Sequence, residues 1–318
     1  MDRRMKSIVL ITLSVGLVSQ LLAEDVVLRQ GCVAHFSSPA EAGEILGQKD
    51  DFIEQLSPFD RSARMKTNES VSPEEFLGFV KANAGEWPEA DQAKLRRAIG
   101  ELRPALEQLP ITFPKKISLV KTTGAEEGNA FYTRDTAIMI PEKEATANEE
   151  RLKKTIAHEL FHILSRNNPE LREKLYRVIG FVKCNEIVFP EELKSRKITN
   201  PDAPRNNHSI RVRVNGKDLD VVPILFANSS NYDRSKGGEF FNYLQLGFLP
   251  LSKSSASKSQ VLQLQQMSGF FEQVGRNTQY IIHPEEILAD NFALLMLGEH
   301  DVQSPQILEK MRAVLESK

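Results

Sequence analysis

Residues 158–162 have the sequence His158-Glu159-Leu160-Phe161-His162, within the stretch from Thr146 to Ser165 that we predict to be a helix. Thr146 and Glu149 have the spacing of a capping box, which places the helix start at Thr146. The apolar residues that follow recur at helical spacing: Leu152, Ile156, Leu160, Ile163 and Leu164. Two histidines four residues apart on such a helix project from the same face.

The two histidines and the glutamate between them have the residue types and spacing of a metal-dependent hydrolytic site. Imidazole nitrogens on one helix face can bind one metal ion, and zinc is the ion that the HExxH pattern typically binds. Glu159 then lies where it can take a proton from a water molecule that the zinc has made more acidic. The alternative is that His158 and His162 are incidental histidines on an amphipathic helix.

A zinc site that is open to water needs a third protein ligand. The stretch from His283 to Asp290 is predicted to begin a helix, on which Glu286 and Asp290 are four residues apart and share a face. We predict that Glu286 binds the zinc ion. We predict that Asp290 orients a histidine, because a metal-bound imidazole usually donates its second N–H to a carboxylate or carbonyl. A solvated acidic helix start after Pro284 is the alternative.

The HExxH motif, followed by the pair Glu286 and Asp290, resembles the gluzincin metallopeptidases, of which thermolysin is a member. A second segment, Asn129-Ala130-Phe131-Tyr132, is similar to the edge strand with which thermolysin-like enzymes bind an extended peptide. An exposed strand edge has unpaired N–H and C=O groups that suit this role. The resemblance implies that Asn129 and Ala130 bind the substrate backbone. An ordinary core strand is the alternative.

The resemblance covers about residues 117–164 and 280–297, and the chain departs from thermolysin in the much longer span between His162 and Glu286. Gluzincins usually use a tyrosine or a histidine to donate a hydrogen bond to the developing oxyanion. No tyrosine follows Glu286, so the position of this donor is open. We rank Tyr280, His283 and His208 first, because two of them adjoin the predicted ligand helix and His208 follows the polar loop 200–207.

The first 23 residues have the composition of a secretory signal peptide, with a basic opening at residues 2–6 and an apolar run from Ile8 to Ala23. An uncleaved membrane anchor is the alternative. We therefore expect an exported protein, periplasmic or extracellular. In such a compartment its two cysteines, Cys32 and Cys184, either form a structural disulfide or remain free. The sequence does not predict the oligomeric state.

The chain has 318 residues and a net charge of −2, with 41 Lys and Arg against 43 Asp and Glu. This balance provides no broad field for nucleic acid or an anionic membrane, and we expect neither partner. Periodicity predicts helices between residues 38 and 109, at 169–179 and from Pro284 onward. The predicted strands lie at residues 117–120, 130–132, 137–140, 210–214 and 219–225.

The predicted fold is α+β: a zincin-like domain with a small mixed sheet and an HExxH active-site helix. A helical amino-terminal region, residues 24–115, precedes this domain at residues 116–318, which contains a long insertion at about residues 180–280. The expected activity is hydrolysis of peptide bonds in a peptide or protein substrate, with one Zn²⁺ ion, a zinc-activated water and Glu159 as general base. The alternatives are a zinc hydrolase of a non-protein amide or cell-wall peptide, and a non-catalytic exported binding protein with the same fold.

Overall fold

The computed structural model describes residues 25–145, 148–251 and 261–317. The predicted leader, residues 1–23, and the predicted cap Thr146 lie outside these ranges. Within the described residues, no helix is both long and apolar enough to cross a membrane.

The amino-terminal part begins with a hairpin of two strands, β1 (Val26–Arg29) and β2 (Cys32–Phe36), which the sequence did not predict. The helices predicted between residues 38 and 109 are confirmed. They are α1 (Pro39–Leu46), α2 (Asp51–Gln55), α3 (Pro58–Arg64), α4 (Pro73–Ala82) and α5 (Glu89–Gln108). Three of these helices start at a capping box of serine with an acidic residue, as at Ser72 and Glu75.

The first sheet is mixed and has the strand order β1-β2-β3-β5-β4, with β3 (Lys116–Thr122), β4 (Tyr132–Arg134) and β5 (Ala137–Pro141). Strands β2, β3 and β5 are parallel, and β1 and β4 are the antiparallel edges. Because β1 and β2 share this sheet with β3, the predicted boundary at residue 115 falls within one sheet. The strand predicted at 130–132 is displaced toward the carboxyl end, since β4 starts at Tyr132.

The helix that carries the HExxH motif is α7 (Glu149–Asn167), which follows the single-turn helix α6 (Glu142–Ala145). Its cap is Asn148, whose side chain accepts a hydrogen bond from the Arg151 amide. The predicted start at Thr146 is therefore wrong by a few residues, because asparagine caps a helix as well as threonine does. The predicted helix after it is confirmed as α8 (Pro169–Val178).

The second sheet is antiparallel, in the order β6 (Phe181–Lys183), β7 (His208–Val214), β8 (Lys217–Ala227), β9 (Leu244–Pro250). Asn215 and Gly216 both have positive φ, 49° and 77°, as the two-residue turn between β7 and β8 requires. The other elements in this part are short. They are α9 (Glu191–Lys194), α10 (Phe271–Val274) and 3-10 turns at Phe240–Tyr243 and Leu264–Gln266. A further 3-10 turn, Ala125–Glu127, lies between β3 and β4 of the first sheet.

Two helices complete the chain, α11 (Pro284–Leu297) and α12 (Pro305–Glu316). Helix α11 is buried along most of its length and packs against α7, where the rings of Phe161 and Phe292 lie 5.7 Å apart. The largest apolar cluster joins both helices to α5 and to the two sheets. The structure is thus α+β with a small mixed sheet, and its candidate site lies where α7 faces the start of α11.

Candidate metal centre

Three predicted ligands, His158, His162 and Glu286, converge between α7 and α11. One oxygen of Glu286, Oε2, lies 3.1 Å from His158 Nε2 and 3.6 Å from His162 Nε2. His162 and Glu286 are each only 1% exposed, and His158 lies at the edge of the cleft described below. The sequence prediction that these three side chains meet is confirmed, because one ligand atom from each lies within 4.8 Å of the others.

In each histidine, Nδ1, the ring nitrogen that does not face Glu286, lies within hydrogen-bonding distance of a carboxylate. The Nδ1 of His158 lies 2.9 Å from Asp290 Oδ1, which is the contact predicted for Asp290, and Thr278 donates its hydroxyl to the other oxygen of Asp290. The Nδ1 of His162 lies 3.1 Å from Glu285 Oε1. With Nδ1–H donated to a carboxylate, the Nε2 of each neutral imidazole keeps its lone pair for a metal.

Glu285 is a supporting residue that the sequence analysis missed. Its Oε2 accepts hydrogen bonds from the hydroxyls of Ser165, at 2.8 Å, and Tyr176, at 2.5 Å. Glu285 as a residue is 3% exposed, and it directly precedes the predicted ligand Glu286 in sequence. In the sequence, the one indication of this role is the pair of adjacent glutamates at 285–286. The pair alone does not show which glutamate faces the metal and which faces away from it.

These residues fit a zinc ion by both donor type and spacing. Tetrahedral zinc with bonds of about 2.0–2.2 Å to nitrogen and oxygen holds its ligand atoms roughly 3.3–3.5 Å apart, close to the separations to Glu286 Oε2. The Nε2 of His162 is buried and has no hydrogen-bond partner among the described residues. A buried unpaired polar atom is costly, and a metal at this position removes the cost. Asn200 donates to the second oxygen of Glu286, at 2.6 Å.

Glu159 lies beside the three ligands and is buried, and its Oε2 is also without a hydrogen-bond partner in the described chain. Burial, and then the nearby carboxylate of Asp202, raise the pKa of Glu159 to about 8. A dication bound at the adjacent ligands acts in the opposite direction and favours the carboxylate. The position and the unpaired oxygen suit the predicted general base.

A cleft of about 300 Å³ opens onto the site and is lined by Asn129, Ala130 and Phe131 on one wall. The predicted substrate-binding residues thus border the metal centre. Their amide hydrogens are already used, since Asn129 N–H donates to Gly124 O and Ala130 N–H donates to Glu127 O. Asn129 has a φ of 64°, so this segment is a turn before β4 and not a continuation of the strand.

Of the three candidate oxyanion donors, only Tyr280 lies in this cleft. Its ring is 6.4 Å from the His158 ring and 43% of the residue is exposed. His283 caps α11: its Nδ1 accepts from the Glu285 amide, and it is also hydrogen-bonded to the backbone of Arg205. His208, on β7, lies 3.0 Å from Glu173. Both histidines line another cavity, together with Glu285, and neither lines the cleft at the metal centre.

Asp202, in the polar loop before β7, is a second residue that the sequence analysis did not select. Its Oδ1 accepts from the amide of Thr133, at 2.7 Å, and from the hydroxyl of the same residue, at 2.6 Å. A carboxylate oxygen of Asp202 also lies within 4.8 Å of ligand atoms of Glu159 and His162. Its pKa is raised, first by burial. The polar composition of residues 200–207 indicated a functional loop, but only the fold brings Asp202 to the site.

An apolar pocket of about 150 Å³ adjoins the cleft and shares Ala130, Phe131, Asp202 and Tyr280 with it. Its other apolar walls come from the region predicted to be an insertion. They are Ile198, Leu225, Phe240, Phe241, Leu244 and Ile282. The region between the HExxH helix and the third ligand therefore folds back to the metal centre.

Cys32 and Cys184 do not form the disulfide that the sequence left open. Both are free thiols: Cys32 is buried in β2 of the first sheet, and Cys184 follows β6 in the second. Burial raises the pKa of the Cys32 thiol to about 11. Neither residue belongs to the metal centre.

Comparison with models of protein families, with curated proteins and with solved structures gave no match.

Proposed function

We propose that this chain is an exported, zinc-dependent metallopeptidase of the gluzincin type. The observation that carries the proposal is the meeting of His158, His162 and Glu286. Within the described part of the chain, His162 Nε2 and the Oε2 of the neighbouring Glu159 are buried without a hydrogen-bond partner. A structural zinc site is closed by four protein ligands, whereas this group has three and opens onto a cleft. A purely structural site also has no use for a buried carboxylate such as Glu159.

Zinc at these ligands supplies a Lewis acid that polarises a carbonyl and makes water more acidic. The rest of the chemistry belongs to the side chains. Glu159 accepts a proton from the attacking water at Oε2 and then delivers it to the nitrogen of the leaving amine. Among the described residues that line the cleft, Tyr280 is the tyrosine, and its ring lies beside His158. Its hydroxyl donates a hydrogen bond to the developing oxyanion.

The outer residues keep this arrangement in place before substrate arrives. Asp290 and Glu285 fix the ring orientation and the tautomer of the two histidines, and Asn200 fixes Glu286. The arrangement of the elements supports a zincin-like fold: β4 lies at the edge of the first sheet, the motif helix α7 contacts β4, and the ligand helix α11 packs against α7.

The proposal is tested by expressing residues 24–318, measuring bound zinc and assaying cleavage of an unstructured protein. Glu159→Gln should retain zinc and lose activity by at least roughly a thousandfold, because the base is removed and the ligands remain. The matched control is Glu150→Gln, an exposed glutamate on the same helix, which should leave both properties unchanged. A zinc-loaded parent that cleaves no peptide, or a Glu159→Gln variant with full activity, would overturn the proposal.

A further inference from the structure

The proposed function leaves open which part of a peptide the site acts on. Resting on that function, we propose that this chain is an aminopeptidase: it hydrolyses the first peptide bond of a substrate whose amino-terminal residue has a bulky apolar side chain. Water adds its oxygen to the carbonyl carbon, the C–N bond breaks, and the shortened peptide leaves with the proton on its new amino group. The first residue leaves as a free amino acid.

The loop that carries Asp202 borders the cleft and covers part of the edge strand beside it. The edge strand β4 offers the Thr133 amide on its open side, and the Asp202 carboxylate already occupies that donor at 2.7 Å. Arg166 joins this loop to β4, because its guanidinium group donates hydrogen bonds to the Asp202 carbonyl, at 3.1 Å, and to the Thr133 hydroxyl, at 3.0 Å. A substrate that passes the metal centre therefore cannot add to β4 at this point, and an extended chain must end there.

Asp202 is in no ion pair among the described residues, although its carboxylate lines the cleft. Of the other carboxylates that line it, Glu144 pairs with Arg151, Asp290 with His158, and Glu286 belongs to the ligand set. Glu159 serves as the general base, so Asp202 is the lining carboxylate that neither the ligand set nor the proton transfer uses. One of its oxygens lies within 4.8 Å of ligand atoms of Glu159 and His162, beside the metal centre. The α-ammonium group of a substrate donates to this carboxylate.

The apolar pocket lies where the side chain of that first residue would lie. An α-ammonium group and a side chain are attached to the same carbon, so a site for an amino-terminal residue needs an anion and a pocket side by side. Asp202 lines both the cleft and the pocket. The pocket is closed by Phe240, Leu225 and Ile198, which are buried, and it favours an apolar side chain by excluding water from that surface.

The direct test uses matched peptides: a pentapeptide that begins with leucine, the same peptide with an acetylated amino terminus, and one that begins with aspartate. Products are identified by mass. We expect release of free leucine from the first peptide, and kcat/KM lower by roughly tenfold to a hundredfold for the other two, the effect of losing a charged hydrogen bond or an apolar contact. Equal cleavage of the acetylated peptide, or cleavage only at internal bonds, overturns the inference and leaves the proposed metallopeptidase intact.

The Asp202→Asn variant separates charge recognition from folding, because asparagine keeps an oxygen that can accept from Thr133. We expect its kcat/KM for the free peptide to fall to that for the acetylated peptide, with unchanged zinc content. Glu150→Gln serves as the control and should keep the parent's preference. A retained preference in Asp202→Asn overturns the inference.

A binding measurement makes the test independent of turnover. Zinc-loaded Glu159→Gln should bind the leucine pentapeptide at least roughly tenfold more tightly than its acetylated form, as measured by calorimetry. Equal binding of the two peptides overturns the inference. Absence of cleavage of every peptide and of unstructured protein by the zinc-loaded parent overturns the proposed function, and the inference falls with it.

Discussion

On both sides of the contact between α7 and α11, a glutamate of α11 lies against a ring nitrogen of His162. The two sides differ in whether that nitrogen has a hydrogen-bond partner among the described residues. On the side facing the cleft, Glu286 lies near two imidazole Nε2 atoms, and the buried Nε2 of His162 has no hydrogen-bond partner among the described residues. On the opposite side, the neighbouring Glu285 is fully engaged by His162, Ser165 and Tyr176. Adjacent glutamates thus have separate roles: Glu286 faces the metal, and Glu285 keeps a metal ligand in its working orientation.

The largest effect is expected at the side facing the cleft. Glu286→Gln removes the charged ligand and should weaken zinc binding by well over the hundredfold that is typical of outer residues. Zinc affinity is measured by competition with a chelator, and Glu309→Gln, an exposed glutamate on α12, is the control. Zinc affinity in Glu286→Gln equal to that of the parent would remove Glu286 from the ligand set.

On the opposite side, Glu285→Gln should weaken zinc binding by roughly tenfold to a hundredfold, because the amide no longer fixes His162 by a charged hydrogen bond. The same competition measurement applies. If the loss equals that in Glu286→Gln, the division of roles between the two glutamates is wrong.

A smaller effect is expected at Tyr176, which contributes one of the two hydroxyls on Glu285 Oε2. Tyr176→Phe removes a buried hydrogen bond and should lower the free energy of unfolding by about 1–2 kcal/mol, with only a few-fold loss of zinc affinity. Urea denaturation of the metal-free chain measures the first quantity. If neither the free energy of unfolding nor the zinc affinity changes, the Tyr176 hydroxyl makes no contribution, and the Ser165 hydroxyl is sufficient to hold Glu285 in place.

The smallest effect on the centre is expected from the helix cap. Asn148→Ala removes the hydrogen bond to the Arg151 amide and should cost about 1 kcal/mol of stability. Zinc affinity should stay at the parent's value, because the cap lies more than two turns from His158 along α7. A parallel loss of zinc affinity would mean that the centre depends on the whole helix and not on the contacts described above.

The parts of the site that could be predicted from sequence are those set by local periodicity. His158, His162, Glu286 and Asp290 are paired at a spacing of four on two helices, and helical geometry alone fixes which of them share a face. The existence of both helices followed from their apolar patterns and from the proline at the start of α11.

The parts that could not be predicted depend on long-range contacts. Asn200 and Asp202 reach the site from the loop before β7, far from either helix in sequence. Strands β1 and β2 were missed because each is short and has no long alternating pattern, and their pairing with β3 is a tertiary property. The strand predicted at 130–132 starts later, at Tyr132, because the positive φ of Asn129 belongs to a turn that precedes it.

The proposed metal centre is tested most directly by the stoichiometry of zinc binding to the metal-free chain, measured for the parent, Glu159→Gln and Glu286→Gln. We expect one tightly bound ion per chain in the parent and in Glu159→Gln, and loss of that tight binding in Glu286→Gln. A parent that binds no zinc, or a Glu286→Gln variant that binds it as tightly as the parent, would rule out the proposed zinc site.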